Sequence, residues 1–348
     1  MCLRIYSAVT NGPTQSSAPQ LTDSQQTLRL RPFEKVTSGI DFPTLAVALA
    51  VYGGYLALTY FFHDMPRWIA APLGAIWLTW HGSLQHETIH DHPTPWRRVN
   101  RALAGPPLSL WIPYCLYRAS HLQHHRHGGR RLTDVTHDPE SFYVRPGALL
   151  RHGSLAGILY LANCTLAGRL FLGPALVVLR FWASEASKAI AGDRRRRIIW
   201  ARHGAAAAIV MLWTSRVCHI PVVVYVFCVV YPSISLSLLR SFVEHRAHPE
   251  PSFRTVAVEA NPLWAMLFLN NNLHIAHHAQ PRLSWYRLPR AWRQMRSRAV
   301  GAGLVFQGGY RQVMAAYLWR AVISVEHPTM QPDAADAQRV GIEASPAR

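Results

Sequence analysis

Phe42 to Phe62 is a run of 21 residues without a single charge. As a helix, such a run is long enough to cross a hydrocarbon core roughly 30 Å thick. The break His63-Asp64-Met65-Pro66-Arg67 is short, and Trp68 to Leu84 is apolar again. Together the two runs predict a helical hairpin, with Trp68 and Trp80 suited to anchoring at the membrane interface. The pattern returns later, where Ile198 to Thr214 and Val217 to Leu239 flank a break at Ser215-Arg216. The expected fold is therefore an all-α integral membrane protein with four crossings in two hairpins. Half the residues are hydrophobic and only 16% are charged, against roughly 25% in soluble domains, and that deficit agrees with a bilayer.

The charges sit between the hairpins. Gln85 to His152 holds nine arginines and Gly192 to Arg197 holds four in succession, whereas the two inner turns hold one each, Arg67 and Arg216. The positive-inside rule then places both termini and all long loops in the cytoplasm, with a bacterial inner membrane as the expected location. The formal net charge of +18 would also suit nucleic acid, but no basic face with base-reading or stacking elements is apparent. The lipid bilayer is the expected partner. Ser154 to Leu179 is apolar apart from Arg169, yet a single crossing there would invert the next hairpin. It is read as interfacial or as a non-crossing re-entrant pair. Ala102 to Tyr117, broken by Pro106, Pro107 and Pro113, is too short to span. One membrane domain is expected over residues 33–326, between disordered polar tails at 1–32 and 327–348. The N-terminal stretch has no apolar core of the signal-peptide kind. Five cysteines without a CxxC pair give no sign of an oxidising compartment.

Nineteen histidines are present, and their placement carries the functional reading. Three clusters stand out: His86-Glu87-Thr88-Ile89-His90, His121-Leu122-Gln123-His124-His125 and His274-Ile275-Ala276-His277-His278. Positions i, i+3 and i+4 share one helix face, so each HxxHH presents a compact set of imidazoles, and HxxxH does the same with two. Any one of these could be a surface histidine in a basic loop. Eight imidazoles in three sets on one membrane face exceed what one metal accepts and suit a site with two. Imidazole serves iron, zinc, copper and nickel alike, so the ligand type leaves the metal open. The first cluster also fits HExxH, in which two histidines bind zinc and a glutamate acts as base. An intramembrane zinc metalloprotease is thus a rival reading. It leaves six histidines without work, and it expects HExxH within a helix rather than where the chain leaves the membrane.

The arrangement resembles the membrane fatty-acid desaturase superfamily, with H(D/E)xxH after the first hairpin, HxxHH some 30 residues on, and HxxHH after the second hairpin. The resemblance covers roughly Phe42 to Trp292, with Asn270-Asn271-Asn272-Leu273 leading into the third box. It implies a cytoplasmic di-iron cap on a helical stem, two iron ions as cofactor and oxygen as co-substrate. By that similarity His86, His90, His121, His124, His125, His274, His277 and His278 are iron ligands. His245, in Ser241-Phe242-Val243-Glu244-His245, matches a ninth ligand of the acyl-CoA branch. His81 is an alternative to His86 or His90, while His92, His127 and His248 fall outside the pattern. Ligating imidazoles usually donate their other N–H to a carboxylate or carbonyl. Glu87 and Asp138 are the leading candidates for that role, followed by Asp91, Asp134, Glu140 and Glu244. The implied reaction is oxygen-dependent desaturation of a fatty acyl lipid or of a small amphipathic metabolite, such as the amino-acid-derived dihydrorhizobitoxine. Hydroxylases and ketolases share the boxes. The chain has no HPGG-like haem motif, no GxGxxG and no cysteine cluster. Electrons are therefore expected from a separate ferredoxin-like or cytochrome b5-like protein and its reductase.

Overall fold

A computed structural model describes residues 39–331, without the side chains of His127 and residues 150–154. The disorder expected of residues 1–32 and of 332–348 lies outside the described residues. The fold is mostly helical. Helix α1, Phe42–Tyr60, begins where Asp41 caps it: the Asp41 carboxylate accepts the Thr44 N–H at 3.2 Å, with Pro43 in the first turn. An Asp cap satisfies one of the donors that every helix start leaves open. After the turn at Phe61–Pro66, α2 runs from Arg67 to Ile89.

Close approach of α1 to α2 depends on Gly54, where a Cβ would lie 2.2 Å from the Trp77 ring nitrogen. Trp77 in turn donates to the Ala50 carbonyl. Short α3, Arg97–Ala104, and α4, Tyr114–His124, follow. The stretch expected not to cross is broken into α5, Ala148–Asn163, α6, Leu166–Phe171, and α7, Gly173–Ile190. Gly168 allows the corner between α5 and α6, because a Cβ there would fall 1.9 Å from the Ala162 carbonyl oxygen. Helix α8, Arg194–Leu212, leads through a wide turn at Trp213–Val217 into α9, Val222–Ser241, which itself contains a π-helical stretch at Tyr225–Val230.

Helix α9 packs on α2 along most of its length, and α1 covers the other side of α2. Their shared core includes Tyr55, Ala70, Ala71, Leu78, Tyr225, Val229 and Leu238. The two inner turns meet at one end of this bundle: His63 lies 3.2 Å from the His219 carbonyl, and Trp213 donates to Thr59. Among the described residues, two helices, Phe42–Tyr60 and Val222–Ser241, are long and apolar enough to cross a membrane.

At the opposite end sits a cap. A two-residue parallel pairing joins β1, Ala257–Val258, to β2, Val305–Phe306. Around it lie α10, Pro262–Leu267, α11, His274–Ala279, α12, Leu288–Gly301, and α13, Gly309–Tyr317. The packed chain continues to His327, which is 5% exposed, one residue past the expected domain boundary.

Candidate metal centre

The first two histidine boxes sit at helix ends, and the third makes up nearly all of the short helix α11. His86 lies in the last turn of α2 and His90 caps it, so the first box is helical almost to its end. The expectation that it would lie beyond the helix is corrected: α2 continues past the apolar run. His121 and His124 occupy the last turn of α4, with His125 as its cap. Tyr114 at the start of α4 meets Thr88 of α2 at 2.9 Å, which fixes the first two boxes relative to each other. In α11 the intervening Ile275 and Ala276 bury against α12, and this turns His274, His277 and His278 the other way.

The boxes converge into two groups. His86, His90, His121 and His277 form one, and His124, His245, His274 and His278 form the other; within each, one nitrogen per ring lies within 4.8 Å of all the rest. His125 joins neither foursome, but its Nε2 is 3.0 Å from that of His121 and 3.1 Å from that of His277. Its ring stacks on His278 with centroids 4.3 Å apart. It therefore stands between the groups. All nine histidines singled out in the sequence are brought together. His81 is not among them; it meets the Tyr52 hydroxyl at 3.3 Å within the bundle.

The electrostatics suit a cation. Burial, reinforced by neighbouring imidazoles, pushes His86, His90, His121, His274, His277 and His278 well below the ordinary histidine range. The same causes bring His245 down to about 3. Neutral rings offer lone pairs, and here those lone pairs face one another; His124 is the exception, since burial lowers it but Glu140 and Asp138 hold it above the ordinary histidine range. His124 and His245 approach nitrogen to nitrogen at 3.0 Å, and His245 and His274 at 2.9 Å. Converging acceptors with few protons to share are the donor set that imidazole-binding transition metals take.

The outward nitrogens are held by acceptors. His124 Nδ1 faces Asp138 at 2.8 Å, and His121 Nδ1 faces Glu140 at 3.0 Å. Such contacts fix the tautomer that leaves Nε2 free for a metal. Asp138 also accepts the Thr133 and Glu140 backbone N–H groups, at 2.8 and 2.9 Å. Glu244 stands 3.5 Å from His274 and forms an ion pair with Arg240 at 3.1 Å. Glu87 is 3.8 Å from His86 and accepts the Trp285 N–H. Burial lifts both Glu87 and Glu244 to about 7.

Two of the six carboxylates do other work. Asp91 holds Arg97, Arg118 and Arg282, and Asp134 pairs with His137. His92 has acceptors on both ring nitrogens, Asp41 at 3.0 Å and the Arg282 carbonyl at 3.0 Å, so both are engaged and it is no ligand. His248 bonds within its own turn.

Asn271 is a participant that sequence reasoning passed over. Its amide meets His86 at 3.3 Å and its carbonyl oxygen meets His274 at 3.2 Å, so it links the two groups. Three consecutive asparagines before the third box were the available signal, since a buried amide run needs partners. Arg240 was also missed.

A family model described as fatty acid desaturase matches residues 62–310. The chain belongs to that family. No match was found among curated proteins. The family is typically di-iron, and the two histidine groups are compatible with that centre. The family makes the chain an oxidoreductase of the desaturase and hydroxylase kind.

Proposed function

We propose that this desaturase-family chain is a membrane-embedded, oxygen-dependent di-iron desaturase acting on a fatty acyl lipid or a small amphipathic metabolite. The observation that carries the reading is the pair of histidine groups, one buried and one partly buried, meeting at His125. An HExxH zinc protease needs one metal and three protein ligands; nine converging imidazoles fit two metals.

The four-crossing topology is part of the proposal. Both inner turns lie together at the end of the bundle opposite the histidines, as two hairpins in one membrane would place them. Large apolar side chains point outward along the helices, among them Leu49 at 77% exposure, Ile209 at 69% and Phe227 at 63%. A soluble monomer rarely leaves so much apolar surface bare. Helix α3 adds an interfacial element, with Trp96 and Val99 exposed beside Arg97 and Arg98.

Within this reading all nine histidines hold the irons. When bound, the iron pair supplies the oxidising power that an unactivated C–H bond requires. The net change removes two hydrogens from adjacent carbons, and one oxygen molecule with two further electrons and two protons becomes two waters. Asp138 and Glu140 keep His124 and His121 in the ligating tautomer, and Asn271 together with Glu244 does so for His274. Glu87 orients His86 from inside the protein rather than activating water. The two electrons come from a separate carrier. Exposed Arg130, Arg131, Arg290 and Arg293 on the cap suit an acidic one.

The test is product analysis by mass spectrometry on purified protein with and without oxygen and a reductant. An alkene formed only with both supports desaturation, an alcohol means the hydroxylase outcome, and product without oxygen removes the oxidase. Glu87→Gln separates the protease: a zincin loses turnover when that base is lost. Here glutamine still accepts through its carbonyl oxygen, and partial activity is expected.

A further inference from the structure

The family match ends at residue 310, but the chain beyond α13 returns to the metal centre. Ala167 donates to the Leu318 carbonyl and Val322 to that of Cys164, each at 3.0 Å. Val144 then donates to Val325, and His327 donates back to Val144, at 3.0 and 2.9 Å. Glu326 accepts the Gly147 N–H at 2.9 Å, and Val325 buries against Val144, Ala148 and Cys164. This strap ends with the His327 ring beside Thr133.

Thr133 is one of several strained points around the histidine boxes, with Asp91, Leu269 and Asn270, and the one β-branched residue among the described positions with positive φ. Its φ is 69°, a left-handed conformation that a β-branched residue adopts only when its surroundings enforce it. The hydrogen bonds around it have a fixed direction. The Thr133 hydroxyl donates to the Leu132 carbonyl at 2.6 Å, so toward His327 Nε2, 3.3 Å away, it accepts. The Thr329 N–H donates to His327 Nδ1, which leaves the ring proton on Nε2, where Thr133 receives it. The Thr133 N–H in turn donates to one Asp138 oxygen, and the other oxygen faces His124.

We propose that the segment from Leu318 to His327 is a positioning strap for the second histidine group, with His327 holding Thr133 in the conformation that aims Asp138 at His124. The proposal rests on the di-iron reading above, and His327 is a positioning residue that touches no metal. Without the His327 contact Thr133 relaxes, Asp138 loses one of its backbone donors, and His124 loses its fixed tautomer. An acceptor such as Asp138 on a ligating imidazole is worth roughly 10- to 100-fold in metal affinity, which sets the upper bound on what the loss of its aim can cost.

The experiment uses the full chain in detergent, loaded with ferrous iron and titrated with a chelator, with iron per chain and the Mössbauer spectrum as readouts. Wild type is expected to release its irons together at high chelator. His327→Ala is expected to give up one iron at up to about 100-fold lower chelator, leaving a mononuclear signal. His327→Gln, whose amide can still donate to Thr133, is expected to restore the pair. Equal retention of both irons in His327→Ala overturns the strap and leaves the di-iron reading intact. Wild type that binds no iron overturns that reading instead. If His327→Ala is recovered only as aggregate, Thr133→Val decides, because it deletes the accepting hydroxyl and keeps the N–H to Asp138. Selective loss of one iron supports the proposal; loss of both together, or of neither, contradicts it.

Discussion

Replacing Arg240 by methionine isolates the only cation that faces Glu244 within ion-pair distance among the described residues. The two charges are 3.1 Å apart and the carboxylate side chain is 3% exposed. At an effective dielectric constant near 20 their attraction is about 5 kcal/mol, and breaking a buried pair from one side costs about 3–5 kcal/mol. Glu244 has an escape. Burial already lifts it to about 7 and Arg240 opposes that rise, so without Arg240 its value climbs further and it takes up a proton at neutral pH. The fold then survives, and the loss falls on His274, whose Nδ1 faces a carboxylic acid instead of a carboxylate and keeps Asn271, at 3.2 Å, as its remaining acceptor. Arg240→Met should therefore weaken iron binding by roughly 10- to 100-fold, measured by chelator titration at pH 7, and recover partly at pH 9 as Glu244 ionises. Adding Glu244→Gln should restore affinity at both pH values, because the amide oxygen accepts from His274 without a buried charge. An Arg240→Met protein with wild-type affinity, or a double variant no better than the single one, would refute this reasoning.

Asp41 carries a second prediction. It caps α1 and pairs with His92 from the loop just after the first box, so Asp41→Ala should cost about 3–5 kcal/mol in a detergent-melt assay. Burial opposes both charges, but the His92 bond and the Thr44 donors hold Asp41 below 3.8, and the Asp41 bond holds His92 above 6.5. The Asp41 contribution is present above 3.8 and is lost as pH falls through its depressed value. The His92 contribution is complete below 6.5 and is lost as pH rises through its elevated value. The gap between wild type and Asp41→Ala should accordingly be widest between pH 4 and 6.5 and narrow in alkali. Cysteine labelling should reach positions 63–67 and 215–216 from outside, and 120–150, 192–197 and 270–290 from the cytoplasm. Labelling of residue 195 from outside would invert the second hairpin.

The histidine boxes were legible because metal ligation imposes a helical period that sequence displays directly. His245 needed the family resemblance, since no local pattern marks a lone histidine after α9. The carboxylates were legible as a set but not by role. Asp138 and Asp91 look alike in sequence, and only folding brings one to His124 and the other to three arginines. Asn271 and Arg240 act across 185 residues and through a buried pair respectively, and neither contact leaves a spacing rule. The corner between α5 and α6 within the 154–179 stretch depends on Gly168 beside the Ala162 carbonyl, a contact that hydropathy does not encode. The first apolar run, by contrast, became α1 almost residue for residue.

Iron stoichiometry with X-ray absorption on purified full-length protein tests the central claim most directly. The account predicts two irons per chain, nitrogen-rich ligation from imidazoles, and loss of iron in both His124→Ala and His277→Ala. One zinc per chain, or a His277→Ala protein that keeps two irons and full activity, would contradict it.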